Sequence, residues 1–85
     1  MAKVEVYSGD YCPYCSRAKA LLKQRDIEFT EYNVQNEPKR RQEMATRAPG
    51  VRTIPQIFIN DRHVGGCDDL HALDRQGELT NWLNA

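Results

Sequence analysis

The sequence predicts an α/β fold in the order β-α-β-α-β-β-α, with a four-stranded mixed sheet flanked by helices. Three observations predict this fold. A strand pattern, a helix pattern and a second strand pattern follow one another within about 35 residues, which is typical of a βαβ unit with parallel strands. A second helix pattern follows. The tight turn Asn60-Asp61 then joins two short strands ahead of a last helical region, which makes the sheet mixed.

Hydrophobic periodicity predicts the first strand and the first helix. Val4 and Val6 alternate with Lys3, Glu5 and Tyr7, which is the pattern of a short strand. From residue 13 onward, apolar side chains recur along one helical face, at Cys15, Ala18, Leu21 and Leu22. A proline at residue 13 suits the first helical turn, because the N–H that it lacks is not needed there.

Residues 27–34 predict the second strand, and a capping pattern follows it. Asn36 can cap the second helix, and Pro38 then lies in the first turn of that helix. The dipeptide at residues 49–50 is Pro-Gly, which stops a helix. The second helix is therefore expected between residue 37 and residue 48.

The C-terminal half completes the sheet and adds the last helices. Residues 56–59 predict the third strand, and residues 62–64 predict a short fourth strand across the Asn60-Asp61 turn. A third helix is expected to open at Cys67 and to end at Gly77. Residues 79–83 predict a last helical turn packed on the core.

Length and charge narrow the classes of function. The 85 residues suffice for a single domain, expected to span residues 1–85. Twelve Lys and Arg residues balance twelve Asp and Glu residues, which argues against nucleic acid or an anionic membrane as the main partner. No apolar run approaches the roughly 20 residues of a membrane span, and the N-terminus lacks a signal-peptide core. A cytoplasmic monomer is expected.

The pair Cys12 and Cys15 is the strongest chemical signal. In the cytoplasm thiols are kept reduced, so a close cysteine pair is more often catalytic or metal-binding than structural. Unpaired N–H groups and the helix dipole stabilise negative charge at a helix N-terminus. A thiol there loses its proton more readily than a free cysteine, whose pKa is about 8.5. We therefore expect Cys12 to be the nucleophile and Cys15 to resolve the mixed disulfide that it forms.

A zinc site is the main alternative for two cysteines with this spacing. A structural zinc ion needs four ligands, and the remaining candidates in the chain are Cys67, His63 and His71. The third cysteine stands alone and the two histidines are eight residues apart, so the second ligand pair lacks the usual spacing. No metal ion is therefore expected, and the position of the cysteine pair after the first strand of a βαβ unit favours redox chemistry.

The segment Thr53-Ile54-Pro55 precedes the third strand. An X–Pro bond can be cis at modest cost. A cis bond before Pro55 would leave the N–H and C=O of Ile54 free to pair with an extended peptide backbone, as in β-augmentation. On its own this motif is weak, and it gains weight from the cysteine pair.

The segment from Gly65 to Asp69 leads into a helix N-terminus, which supplies N–H donors to an anion. Asp68 can accept hydrogen bonds from an ammonium group. These groups suit a ligand end that bears both a carboxylate and an amine, such as the γ-glutamyl end of glutathione. Simple helix capping by Asp68 or Asp69 explains the same residues equally well. Cys67 is expected to be a packed or semi-exposed thiol and not a catalytic one.

Taken together, these segments resemble the glutaredoxin family, in its dithiol class and close to the small bacterial glutaredoxin 3 type. The resemblance covers essentially the whole chain and rests on residues 12–15, 17–22, 53–59 and 65–70. It implies a thioredoxin-like fold, a cis Pro55, and glutathione as a co-substrate with no tightly bound cofactor. It also implies glutathione contacts from seven residues: Tyr14, Thr53, Ile54, Pro55, Gly66, Cys67 and Asp68.

One stretch departs from the family pattern. Members of the family often carry a lysine shortly before the first cysteine, whereas this chain has Asp10 there and no base. A nearby carboxylate disfavours a thiolate, so Cys12 is expected to be less acidic than in its relatives. The glycyl carboxylate of glutathione then needs another partner, and Arg40, Arg47 and Arg52 are the candidates.

The resemblance implies reduction of protein–glutathione mixed disulfides by Cys12 alone, and of protein disulfides by Cys12 with Cys15. Substrates would be glutathionylated or disulfide-bonded proteins, with ribonucleotide reductase suggested by the family only. One alternative is a redoxin that is reduced by thioredoxin reductase. Another is an iron–sulfur carrier, in which two chains and two glutathione molecules hold a [2Fe–2S] cluster through Cys12.

Overall fold

The computed structural model describes residues 2–85, and that range contains four strands and four helices. The strands are β1 (Val4–Ser8), β2 (Thr30–Asn33), β3 (Gln56–Ile59) and β4 (Arg62–Gly65). The helices are α1 (Pro13–Gln24), α2 (Pro38–Arg47), α3 (Cys67–Arg75) and α4 (Leu79–Asn84). The predicted order of elements is confirmed, and α4 is the last helical turn expected from residues 79–83. Within residues 2–85, every helix is too short or too polar to traverse a lipid bilayer.

The sheet is mixed and has the strand order β2-β1-β3-β4. β1 and β2 are parallel, as expected for a βαβ unit, and β3 lies antiparallel on the other side of β1. The β3–β4 hairpin turns at Asn60 and Asp61, whose φ angles are 51° and 67°. Asn and Asp tolerate this left-handed backbone better than most residues, which explains the tight turn.

Hydrophobic residues fill both sides of the sheet. Helices α1 and α3 cover one face, in a cluster that includes Val4, Val6, Ala18, Leu22, Ile57, Ile59, Leu70 and Leu79. Helix α2 covers the other face, where the buried cluster is Tyr7, Val34, Met44, Ala48 and Phe58. A sheet with both faces covered has central strands that are buried throughout.

Because helices cover both faces of the sheet, β1 is buried along its whole length. Val4 and Val6 alternate with polar residues in the sequence, yet all five residues of β1 are buried, including Glu5 at 4% exposure. Tyr7 is also buried, and its ring centroid lies 5.7 Å from that of Phe58. The side chains of the second face are therefore core residues, because α2 covers them.

Glu5 is a buried carboxylate, and Arg47 of α2 pairs with it. The guanidinium of Arg47 donates to both carboxylate oxygens of Glu5, at 2.9 and 3.1 Å, and to the hydroxyl of Tyr7 at 2.8 Å. Burial alone would raise the pKa of Glu5, but hydrogen bonds from Arg47 and Tyr32 outweigh it and lower that pKa. Burial and a hydrogen bond to Glu43 raise the pKa of Tyr7 to about 12. The cluster therefore holds a charged carboxylate beside a neutral phenol at neutral pH.

Three strand boundaries differ from those predicted, and two of them belong to β2, which ends at Asn33 and not at residue 34. β2 begins at Thr30 and not at residue 27, because the N–H of Ile27 bonds to the carbonyl of Leu22 at the end of α1. Ile27 still packs against the core formed with α1. β4 continues to Gly65, one residue beyond the predicted end, because Gly65 pairs with Ile57 of β3.

The predicted cap of α2 was wrong. The residue that precedes its first turn is Glu37, and its side chain makes no capping hydrogen bond. Asn36 is one residue too early, and its N–H donates to the side chain of Asn33 at 3.1 Å. Asn33 also accepts from the N–H of Gln35 at 2.9 Å, so the polar turn after β2 is organised by the last residue of that strand.

We expect Arg47→Met to lower the free energy of unfolding by about 3 kcal/mol, because Glu5 would lose the partner that compensates its burial. Urea unfolding measures this difference. The pKa of Glu5 is lowered in the folded protein, so the ion pair stabilises the folded state fully at pH values above 4.5, the ordinary pKa of a glutamate. The difference in free energy of unfolding between wild type and Arg47→Met should therefore shrink as the pH falls below that value.

Arg41→Met is the matched control for this experiment. Arg41 is exposed on the same helix, so its loss should change the stability by less than about 0.5 kcal/mol. Equal effects of the two substitutions, or an Arg47→Met effect independent of pH, would contradict the assigned role of the Glu5–Arg47 pair.

Candidate active site

Cys12 is the residue that caps α1. Its backbone is extended, with φ −113° and ψ 101°, and Pro13 follows at the first helical position. The sulfur of Cys12 accepts a hydrogen bond from the N–H of Cys15 at 3.1 Å. The predicted position of this sulfur, at the point where the loop after β1 becomes helical, is confirmed.

Cys12 and Cys15 form a disulfide, with their Cα atoms 5.2 Å apart. The two cysteines differ in environment. Cys15 is 1% exposed and faces the core between α1 and the sheet, whereas Cys12 is half-buried at the surface. Only the first cysteine of the pair is therefore open to a large partner.

An open groove of about 710 Å³ lies beside the cysteine pair. Tyr14 contributes from the first turn of α1, and the segment from Gly50 to Gln56 forms one wall. The other wall comes from β4 and the start of α3. The groove brings together every residue predicted to contact glutathione: Tyr14, Thr53, Ile54, Pro55, Gly66, Cys67 and Asp68.

Ile54 connects this groove to the cysteine pair. The Ile54–Pro55 peptide bond is cis, as the resemblance implied. The carbonyl oxygen of Ile54 lies 3.9 Å from the sulfur of Cys12. β3 begins only at Gln56, so Ile54 lies outside the paired part of the sheet, where it lines the groove.

Two residues that support this wall were missed by the sequence analysis. The side-chain amide of Gln56 donates to the carbonyl and to the hydroxyl of Thr53, at 3.0 and 3.2 Å. A ring nitrogen of His63 lies 2.7 Å from the side-chain oxygen of Gln56. The only signal in the sequence was a polar residue directly after Pro55 in a strand that is otherwise apolar.

At the other wall, the structure separates the roles of two adjacent acidic residues. Asp69 accepts a hydrogen bond from the N–H of Gly66 at 3.0 Å, so Asp69 closes the first turn of α3. Gly65 has a φ of +124°, and a Cβ atom there would meet the Asp69 carboxylate at 2.2 Å. Asp68 is exposed and lines the groove. The question of which acid serves as the helix cap is therefore decided in favour of Asp69.

Cys67 is packed, as expected. It is 5% exposed, and burial raises the pKa of its thiol, with a smaller contribution from the charge of Asp68. A ring nitrogen of His71 lies 2.9 Å from the carbonyl of Cys67 and 3.4 Å from its sulfur. Within residues 2–85, no group of three or more His, Cys, Asp or Glu side chains is placed to hold a metal ion.

The structure distinguishes the three candidate arginines. Arg47 is bound to Glu5 on the far side of the sheet. Arg40 pairs with Glu43 at 3.1 Å, and its guanidinium lies over the ring of Tyr32, 4.1 Å from the ring centroid. Arg52 is exposed, lines the groove, and has no ion-pair partner in the described range 2–85.

Asp10 makes contacts on the side of the loop that faces β2. Its carboxylate accepts a hydrogen bond from the side chain of Asn33 at 3.0 Å. Its N–H donates to the side chain of Gln35 at 2.8 Å. The loop between β1 and α1 is thus attached to the loop that follows β2, and the effect of Asp10 on the acidity of Cys12 stays a prediction.

Comparisons with known proteins agree with this geometry. The model of the glutaredoxin family matches residues 4–64. Glutaredoxin 3 of Escherichia coli is 51% identical over 79 residues, which are 93% of this chain and 94% of that protein. The solution structure of glutaredoxin from Brucella melitensis is similar with a TM-score of 0.84 and 49% identity, covering 98% of this chain and 89% of that one.

A buckwheat glutaredoxin–glutathione complex is also similar, with a TM-score of 0.85 and 32% identity over 95% of this chain and 76% of that one. The thioredoxin-like fold implied by the motifs is confirmed by these neighbours. The family match, these relatives and the Cys12–Cys15 pair at the start of α1 lead to one conclusion. The chain belongs to the glutaredoxin family and is a glutathione-dependent thiol–disulfide oxidoreductase.

Proposed function

We propose that Cys12 is the attacking sulfur and that Cys15 resolves the mixed disulfide. The observation that carries this proposal is the hydrogen bond from the N–H of Cys15 to the sulfur of Cys12 at the first turn of α1. In the reduced protein the same N–H and the helix dipole stabilise a thiolate at Cys12. The buried Cys15 lacks access to a large substrate but lies within bonding reach of Cys12.

The first reaction reduces a protein–glutathione mixed disulfide. The Cys12 thiolate attacks the sulfur of the glutathionyl group, and a new disulfide forms between Cys12 and glutathione. The substrate protein leaves as a thiolate and takes a proton from water. The thiolate of a second glutathione then attacks the glutathionyl sulfur on Cys12, which releases oxidised glutathione and restores the Cys12 thiolate. Cys15 takes no part in this cycle.

The second reaction reduces a disulfide within a protein. Cys12 attacks one sulfur of the substrate, and the other sulfur leaves as a thiolate. The thiolate of Cys15 then attacks Cys12, which frees the second substrate sulfur and forms the Cys12–Cys15 disulfide present in the structure. Two glutathione molecules reduce that disulfide in turn, since glutaredoxin couples lie at about −200 to −230 mV, close to the glutathione pool.

The groove supports glutathione as the co-substrate. The backbone of Ile54 can pair with the cysteinyl unit of glutathione, whose sulfur would then lie near Cys12. The N-terminus of α3 and the carboxylate of Asp68 can hold the carboxylate and the ammonium group of the γ-glutamyl end. Arg52 is the arginine that can bind the glycyl carboxylate, because Arg40 and Arg47 are engaged elsewhere.

The same proposal covers the setting in which the enzyme works. We expect it to act in the cytoplasm, as one glutaredoxin domain and as a monomer, on glutathionylated or disulfide-bonded proteins. The balanced charge of the chain supports protein and peptide partners over nucleic acid. The groove is open and Cys12 is only half-buried, so a substrate can reach the active site from solvent.

Replacing each cysteine separates the two reactions. Cys15→Ser should keep the reduction of a glutathione mixed disulfide within about threefold of wild type, while the reduction of an intramolecular protein disulfide falls at least about tenfold. Cys12→Ser should abolish both reactions. Coupled assays with glutathione and glutathione reductase measure the two rates. Loss of both activities in Cys15→Ser would contradict the assigned roles.

The proposed role of Arg52 predicts a change in glutathione binding. We expect Arg52→Ala to raise the KM for glutathione about fivefold, since an exposed charge-assisted contact contributes about 1 kcal/mol. The reaction at saturating glutathione should change little. Arg41→Ala removes an exposed arginine outside the groove and should leave the KM unchanged. An unchanged KM in Arg52→Ala would contradict the proposed contact.

The buried Cys67 should resist alkylation. In a Cys12→Ser/Cys15→Ser variant, iodoacetamide at neutral pH should modify the folded protein at least about tenfold more slowly than the protein unfolded in urea. The reason is that burial both shields the thiol and raises its pKa above the value of a free cysteine. Raising the pH through the pKa of a free cysteine should therefore speed the reaction less in the folded protein. Equal rates in the two states, followed by mass spectrometry, would contradict this assignment.

A further inference from the structure

We propose that Tyr11 is a specificity-determining residue that contacts the polypeptide part of a glutathionylated substrate while Cys12 attacks it. This inference rests on the proposed function, because it takes Cys12 as the attacking sulfur. It assigns a role to a side chain that lines no part of the glutathione groove. Three features of Tyr11 carry it: the exposure of its ring, its backbone conformation and the anchoring of its loop.

Tyr11 is fully exposed and directly precedes Cys12 in the chain. Within residues 2–85, the large hydrophobic side chains in the exposed class are Tyr11 at 103% and Tyr14 at 55%. These two rings flank Cys12 in sequence, and Tyr14 lines the groove. A tyrosine ring offers apolar area and a polar hydroxyl at low entropic cost, which is why tyrosine is enriched in protein interfaces.

Tyr11 also has a backbone conformation that is unfavourable for a residue with a large side chain. Its φ angle is +54°, in the left-handed region that costs an ordinary residue about 1 kcal/mol. The other residues with positive φ in the described range are glycines or the Asx residues Asp26, Asn60 and Asp61, which tolerate it. Glycine at residue 11 would remove this cost, and the exposed ring contributes no burial. Folding therefore gives no reason for an aromatic residue at this position.

The loop that carries Tyr11 is attached to its surroundings at the two residues that precede Tyr11. Asp10 is bound to the side chains of Asn33 and Gln35, as described above. Gly9 packs so closely that a Cβ atom there would lie 2.7 Å from side-chain atoms of Gln35 and Ile54. The ring of Tyr11 is therefore presented from a fixed point beside Cys12, which lowers the entropic cost of using it as a contact.

The proposed reaction leaves one part of the substrate outside the groove. In a protein–glutathione mixed disulfide, the glutathionyl half occupies the groove and the polypeptide half lies beyond the attacked bond. Tyr11 directly precedes Cys12 and is exposed outside the groove. It can therefore contact the residues that flank the substrate cysteine. Aliphatic or cationic flanking side chains suit a tyrosine face, through apolar contact or a cation–π interaction.

The test compares two substrates in two variants. One substrate is a glutathionylated peptide with leucine and arginine beside its cysteine, and the other is the mixed disulfide of glutathione with 2-mercaptoethanol, which has no polypeptide. Tyr11→Gly removes the ring and accepts the positive φ, and Tyr11→Phe keeps the ring. We expect Tyr11→Gly to lower kcat/KM for the peptide about fivefold and for the small substrate less than about twofold. Tyr11→Phe should stay close to wild type on both.

The outcomes separate this inference from the proposed function. An unchanged kcat/KM for the peptide in Tyr11→Gly would overturn the role of Tyr11, and so would an equal fall on both substrates. Failure of the wild-type protein to reduce the small mixed disulfide would instead overturn the proposed function. Thermal unfolding of both variants should match that of wild type or, for Tyr11→Gly, exceed it slightly, because the strained φ is relieved.

Discussion

The burial of β1 on both faces is the constraint on which the rest of the molecule depends. Helices α1 and α3 cover one face and α2 covers the other, so every side chain of the strand is inside, including Glu5. A buried carboxylate is tolerated only with a partner of opposite charge and good geometry. Arg47 supplies it from the last turn of α2 and thereby joins that helix to the central strand.

The direction of the strands then assembles the active site at one edge of the sheet. β1 ends at this edge and leads to Cys12, and β3, which is antiparallel to β1, begins there after Ile54 and Pro55. β4 runs back along β3 and ends at the same edge, where α3 starts. Segments far apart in sequence thus converge on one sulfur, because antiparallel pairing places the end of one strand beside the start of the next.

The electrostatic environment and the solvent access at that edge differ between the two cysteines, which supports the different roles that we propose for them. The sulfur of Cys12 accepts a hydrogen bond from the N–H of Cys15 at the start of α1, where the helix dipole favours negative charge. Cys15 itself is buried in the core. The third cysteine is buried with a raised pKa, so it stays protonated at neutral pH. Tyr11 is exposed outside the groove, and in our proposal it contacts the polypeptide while the groove holds glutathione.

The sequence by itself determined the order of elements and the position of the cysteine pair at a helix start, because each of these signals lies within one or two turns of chain. The family resemblance added seven of the residues that line the groove, but Gln56 and His63 were missed. The sequence left open which arginine faces the groove and which of Asp68 and Asp69 caps α3, and its alternation pattern did not reveal that β1 is buried on both faces. Only the tertiary structure decided these points. Arg47 binds Glu5, and Asp69 accepts the hydrogen bond from the N–H of Gly66. Arg52 and Asp68 are not used in these contacts, and both line the groove. The physical reason is that partners of charged groups are chosen by packing between distant segments, which local periodicity does not encode.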